Sequence, residues 1–246
     1  MHEAEAAAQG LRLHYQLIDL DRTGQGVEAL PMLIGAARTM GFAGLNITYP
    51  CKQAVMPLLD ELSDEAREMG AVNTVVFRDG RSHGHNTDGS GWRRGFERTL
   101  PGADLAHVVL LGAGGAGSAI AHAVLRMGAR ALVLVDADPA RAAEAAARLN
   151  TLHAGARVRA AAAAADAFAG PLPPSGLIHA TPTGMDKLPG MPLDAALLRP
   201  GLWVSEIVYF PLETALLKAA RARGCAVCDG GTMAVGQALG AFALFT

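Results

Sequence analysis

Short runs of Val, Leu and Ile alternate with longer Ala-rich stretches along the chain, the pattern of βα units that feed a parallel sheet. Near the start, the alternation predicts a strand over residues 12–19, a helix over 27–40, and further strands over 44–48 and 71–77. Arg78-Asp79-Gly80 has turn chemistry and predicts a hairpin, with the chain returning over 82–86. Around Pro101-Gly102 the character changes. A strand over 106–111, a glycine-rich turn, a helix to Met127, a strand over 131–136 and a helix over 139–150 follow in the tight order of a nucleotide fold. Asp138 suits the N-cap of that last helix and Pro139 its first position. Residues 154–174, with six consecutive alanines at 160–165, carry no usable pattern. Three more strands are predicted over 177–181, 202–208 and 225–229.

This order predicts an α/β protein of two lobes. An N-terminal α/β lobe spans 1–103 and a Rossmann-type doubly wound parallel sheet spans 104–229, with residues 230–246 after it. No repeat of solenoid or propeller period is visible. The 246 residues, 51% hydrophobic and 18% charged, suffice for a large core and exclude a disordered chain. A net charge of −2 offers no basic surface for nucleic acid or an anionic membrane. Three cysteines make no disulfide framework, and no signal peptide or spanning segment is recognised, so the expected location is the cytoplasm and the expected state a monomer or homodimer. Lysine occurs only at 52, 187 and 218 against 18 arginines, which singles out a lysine in a conspicuous setting.

Gly112-Ala113-Gly114-Gly115-Ala116-Gly117 carries G-x-G-x-x-G between a strand and a helix, and Asp136 follows 19 residues after Gly117 at the end of the next strand. The glycines let the backbone approach a pyrophosphate, whose charge meets the amides of the helix N-terminus. A tight βα turn without a ligand is the other reading. A carboxylate at Asp136 suits two ribose hydroxyls and repels a 2′-phosphate, which favours NAD over NADP, although Arg141 lies one turn further on. In the first lobe, Asn46–Lys52, Ala71–Thr74 and Gly84–Gly89 place polar residues at strand ends. Each alone reads as a turn; together with Lys52 and Asp88 they offer a pair able to move an alcohol proton as hydride leaves the carbon. The eight histidines show no metal-ligand spacing, and no metal is expected. Cys51 reads as a packing residue or an ion-paired thiolate, and Trp92 and Trp203 as core.

GLNITYPCK, GAVNTVV, GHNTDGSG, GAGGAG, ATPTGM and DGGTMAVGQALGAF follow one another in an order that resembles the shikimate dehydrogenase family. Asp136-Ala137-Asp138 and the runs GLNITYPCKQAV and VYFPLETALLKAARARGC look like its NAD-dependent quinate/shikimate dehydrogenase branch. The resemblance implies an NAD-dependent oxidoreductase interconverting shikimate or quinate and the 3-dehydro acid, with Lys52 and Asp88 as the catalytic pair. It implies that lobe 1–103 is the substrate lobe and that a helix over 230–246 returns to it, with Thr48, Asn73, Gln237 and Tyr209 as substrate contacts, and the turn 112–117, Asp136, Arg141, Thr181, Val208, Gly230 and Met233 as cofactor contacts. Family members open with a Ser-x-Ser or Ser-x-Thr element that binds the substrate carboxylate, before a Pro-x-Met-His segment; this sequence starts at Met1-His2. A non-catalytic NAD-binding relative, or a shortened form with lost substrate binding, is therefore the alternative expectation. His179 stands where the family has Asn, and Thr232 where some quinate-type members have Arg.

Overall fold

The structure, a computed structural model, describes residues 1–170 and 172–246. The chain divides into two compact units, one of Met1–Thr87 with Ala238–Thr246 and one of Asp88–Gln237.

The first unit holds a mixed four-stranded sheet of β1 (Gly44–Asn46), β2 (Glu61–Leu62), β3 (Thr74–Arg78) and β4 (Arg81–His85), in the order β1-β3-β4-β2. β3 and β4 form the predicted hairpin, closing at Arg78 opposite Arg81. Its two turn residues, Asp79 (φ 53°) and Gly80 (φ 73°), are both left-handed, the backbone that matches the twist of a two-residue hairpin. Leu30 and Ile34 of the helix Leu30–Thr39 pack with Ile47, Val55, Val72 and Val75 to form this unit's core.

Residues 12–19 form no strand, contrary to the sequence pattern. Alternating residues at 13, 15 and 17 satisfy a strand's side-chain period, but a strand also needs a neighbour for its backbone. Side chains tie Tyr15 to its surroundings: Glu3 Oε1 accepts the Tyr15 N–H at 2.8 Å, and the Tyr15 hydroxyl donates to Asn46 Oδ1 at 3.0 Å. The other predicted strands are present with ends shifted by at most three residues.

The second unit is built on six parallel strands, β5 (His107–Leu111), β6 (Ala131–Val135), β7 (Arg157–Ala161), β8 (Gly176–His179), β9 (Trp203–Glu206) and β10 (Ala226–Cys228), in the order β10-β9-β8-β5-β6-β7. Every residue of β5, β8 and β9 is buried, as a sheet covered on both faces requires. Val108 and Leu110 face a core with Ile120 and Val124, whereas Val109 and Leu111 face Leu216 and Ala220 on the other side. β7 and the helix Ala164–Phe168 occupy the alanine tract that the sequence left without elements.

The chain winds outward from β5 to β7 and then returns to β8 on the opposite flank of β5. That reversal leaves a crevice at the carboxyl ends of β5 and β8, where open α/β sheets take ligands. The boundary falls at Thr87/Asp88 and not at residue 103, because the helix Asp88–Thr99 packs with the second unit. Its Trp92 Nε1 donates to Ser205 Oγ at 2.9 Å, and Phe96 meets the Trp203 ring edge to face. The last helix, Gly230–Phe245, contributes its residues up to Gln237 to the second unit and the remainder to the first.

Candidate active site

In the second unit, the glycine-rich turn links β5 to the helix Gly115–Arg126. Gly112 has φ +99°, and a Cβ there would lie 2.5 Å from the Ala180 carbonyl. A Cβ on Gly117 would lie 1.9 Å from the Gly112 carbonyl, so only glycine lets the helix start this close to the strand. Gly114 differs: nothing lies within 4 Å of its absent Cβ, and no side chain caps the helix that follows. An open backbone cradle at an uncapped helix N-terminus fits a dinucleotide pyrophosphate. Ala113, Gly115 and Ala116 complete the same turn.

Asp136 stands just past β6 with its side chain almost fully buried. Its Oδ2 accepts the Ala113 N–H at 2.7 Å, and its Oδ1 accepts the Asp138 N–H at 2.9 Å. The carboxylate therefore sits against the glycine turn, at the sequence-predicted ribose position. Arg141 reaches back to it, 3.3 Å from Asp136 Oδ1 and 3.7 Å from Asp138 Oδ2. Sequence spacing alone does not show that ion pair, because it requires the helix Pro139–Leu152 to start at Asp138, whose side chain caps Ala140 and Arg141.

Thr181 follows β8 beside the same turn, its methyl 3.1 Å from where a Gly112 Cβ would be. Val208 follows β9, and Gly230 packs against the 207–208 carbonyls, at 2.4 to 2.6 Å from its absent Cβ. Met233 lies in the core with Trp92. Tyr209 is 63% exposed next to Val208. Of the predicted cofactor residues, the glycine turn, Asp136, Thr181 and Val208 follow the carboxyl ends of β5, β6, β8 and β9, Arg141 reaches Asp136 from its helix, and Met233 of the last helix lies in the core.

Asp88, 2% exposed, opens its helix. Gly91 and Gly95 carry that helix across the last one: a Gly91 Cβ would lie 2.3 Å from the Gln237 nitrogen, and a Gly95 Cβ 2.7 Å from Thr232 Oγ1. The crossing holds the Gln237 backbone against the helix of Asp88.

In the first unit, Asn73 is 2% exposed and organises a buried cluster. Its Oδ1 accepts the Thr87 N–H at 2.9 Å and the Thr74 hydroxyl at 3.0 Å, and its Nδ2 donates to Thr87 Oγ1 at 2.9 Å. Asn86 Nδ2 donates to the Ala71 carbonyl at 2.9 Å. Lys52, half-buried, is tied to this strand end through its carbonyl, which accepts the Val72 N–H at 2.8 Å. Thr48 is exposed, and its carbonyl accepts the Cys51 N–H at 2.8 Å. The three polar motifs thus converge as one hydrogen-bonded group around Asn73. Cys51 packs in the core beside Leu30 and Val75, and burial pushes its thiol up, away from a thiolate.

A doubly wound sheet with a glycine-rich phosphate cradle and a carboxylate at the second strand's end defines a dinucleotide-binding protein, here joined to a mixed-sheet unit with a polar cluster. Residues 1–75 match the model of the shikimate dehydrogenase substrate binding domain. The chain is 59% identical to a shikimate dehydrogenase (NADP(+)) of Streptomyces avermitilis, covering 100% of this chain and 84% of that one. It is 48% identical to a quinate/shikimate dehydrogenase (NAD(+)) of Corynebacterium efficiens, covering 100% and 87%. The structure of quinate dehydrogenase from Corynebacterium glutamicum in complex with NAD superposes with a TM-score of 0.88 at 46% identity, over 100% of this chain and 87% of that one. The chain belongs to the shikimate dehydrogenase family.

Proposed function

We propose that this protein is an oxidoreductase that interconverts shikimate or quinate and the corresponding 3-dehydro acid, with NAD as its preferred cofactor. The single observation that carries the reading is the Asp136 carboxylate bonded to the glycine turn at Ala113, in a chain whose relatives act on these acids. Bound nicotinamide supplies the hydride acceptor. Lys52 takes the proton of the substrate hydroxyl, with Asp88 as its partner in the relay. Thr48, Asn73, Tyr209 and Gln237 hold the ring hydroxyls and set the carbon that gives up hydride. Gly112 to Gly117 receive the pyrophosphate, and Thr181, Val208, Gly230 and Met233 line the nicotinamide side.

The preference for NAD is argued from charge. Relatives of this chain divide between NADP(+) and NAD(+), so kinship alone does not decide it. Asp136 and Asp138 both pair with Arg141, which leaves that guanidinium neutralised where a 2′-phosphate would need it. Two carboxylates facing a phosphate dianion disfavour NADP. Steady-state kinetics with both acids and both cofactors test the proposal: turnover of either acid with a higher kcat/KM for NAD supports it. Tighter binding of NADP than NAD in calorimetry refutes the cofactor assignment, and no turnover in any of the four combinations refutes the activity.

A further inference from the structure

β8 and β9 end side by side, with His179 opposite Glu206, and both side chains are fully buried. Neither has a place in the proton relay or the phosphate cradle. Three donors converge on the Glu206 carboxylate. His179 Nδ1 lies 2.8 Å from Oε1, the Val208 N–H donates to the same oxygen at 3.0 Å, and the Thr214 hydroxyl donates to Oε2 at 3.1 Å. Thr214 is in turn the N-cap of the helix Ala215–Ala222, accepting the Leu217 N–H at 3.2 Å. On the other side of the ring, His179 Nε2 lies 2.5 Å from Thr181 Oγ1. One buried carboxylate thus fixes, directly or through the imidazole, the loop after β8, the loop after β9 and the start of the following helix.

The direction of these bonds follows from what each group can do. An ionised carboxylate only accepts, so the ring proton is assigned to Nδ1, facing Glu206. With that tautomer Nε2 accepts, and the Thr181 hydroxyl must donate inward to it. Its oxygen keeps only acceptor capacity, part of it taken by the Thr183 N–H at 3.3 Å. Thr181 follows β8 beside Gly112, its methyl 3.1 Å from where a Cβ on that glycine would be, at the carboxyl ends of β5 and β8.

We propose that His179 and Glu206 are positioning residues for the dinucleotide: together they fix the loops of Thr181 and Val208 and turn the Thr181 hydroxyl into an acceptor toward the ligand. The ligand group it meets is then a donor, a ribose hydroxyl or the carboxamide NH₂, and not a phosphate oxygen. This rests on the reading of the second unit as a dinucleotide site.

The test is fluorescence titration of the full chain with NADH, in the parent and in Glu206→Gln, His179→Ala and Thr181→Val, with Tm recorded for each. The expected result is a Kd raised about tenfold or more in each variant, since one lost buried hydrogen bond is worth roughly that factor. Thr181→Val placed on His179→Ala should add less than about twofold, because the hydroxyl is no longer oriented. Thr181→Ser, which keeps the acceptor, should bind better than Thr181→Val. A lowered Tm with Kd within twofold of the parent overturns the positioning role and reduces the pair to a structural one. A parent that binds neither NADH nor NADPH sinks the dinucleotide reading, and the proposal with it. Where a variant fails to fold, ¹⁵N spectra of histidine-labelled parent protein decide: a protonated Nδ1 with an unprotonated Nε2 at His179 supports the assignment, and a protonated Nε2 overturns it.

Discussion

In the second unit β5, β8 and β9 are buried along their whole length, whereas in the first unit β1 is half-buried throughout and β4 alternates between buried and partly exposed residues. The two units position functional groups differently as a result. At the carboxyl ends of β5, β6, β8 and β9 the parallel backbone does the placing, and the tolerance is set by how near two chain segments approach. Around Asn73, side-chain amides and hydroxyls bonded to neighbouring backbone add to the main-chain bonds of Ile47, Val72 and Asn73 and join the loop of Thr87 to the cluster. Backbone-set sites are broken by added volume, and side-chain-set sites by deleted polar atoms.

The largest effect is expected for Gly117→Ala. A Cβ placed 1.9 Å from the Gly112 carbonyl must push the helix from the strand. Overpacking of that kind costs about 3 kcal/mol or more, which corresponds to roughly 100-fold in NADH affinity if it falls on the cradle. Titration with NADH and thermal denaturation check it, and unchanged values in both would mean that the turn has room for the added methyl. Asn73→Ala should come next. It strips partners from the buried Thr87 N–H and the Thr74 hydroxyl, and each unsatisfied group costs about 1 to 3 kcal/mol. Denaturant unfolding should show the loss in the midpoint, and an unshifted midpoint would show that water or a rearranged neighbour satisfies them.

Asp136→Ala sharpens the comparison from the other unit, because here a side chain acts within a backbone-set site. Removing this carboxylate frees Arg141 and lifts one repulsion, so the preference for NAD over NADP should narrow by about tenfold, from roughly 1 to 3 kcal/mol of recovered binding. Calorimetry with both cofactors reads it, and a ratio that stays fixed removes Asp136 from cofactor selection. The smallest effect concerns His85, whose pKa is held below 6.5 by burial first and then by the charges of His83 and Arg78, with Glu65 opposing. The unfolded chain therefore takes up this proton first as pH falls below 6.5, and native stability declines from there until the folded group also titrates. His85→Gln should flatten that part of the stability profile slightly and leave the profile above pH 7 unchanged. A variant with the parent's acid slope would contradict the assignment.

The regions also differ in how much of them was legible in the amino-acid sequence. Buried parallel strands announce themselves as Val and Leu runs, and the turn after β5 announces itself by the spacing of its glycines, so β5, β6, β8, β9 and the turn were legible as elements. β7 and the helix after it were not, because alanine carries no contrast between a buried and an exposed face. Residues 12–19 show the reverse: the local pattern is that of a strand, but pairing is a property of two segments and only one of them is visible in a local pattern. The domain boundary was drawn near Pro101-Gly102, where the character of the chain changes, because the packing of the helix Asp88–Thr99 onto Ser205 and Trp203 is a tertiary contact that no local pattern shows. His179 was visible as a departure from the family, but its role depends on Glu206, a single acid inside an apolar run whose partner is brought alongside only by the sheet.

The central claim is that this chain oxidises an alcohol with Lys52 moving the proton. The most direct test measures kcat for shikimate and quinate with NAD in the parent and in Lys52→Ala, with NADH affinity followed in both. The account predicts a kcat lowered by at least about 10², the usual share of a general acid-base group, and an NADH Kd changed by no more than a few fold. Parent-level turnover in Lys52→Ala would contradict it.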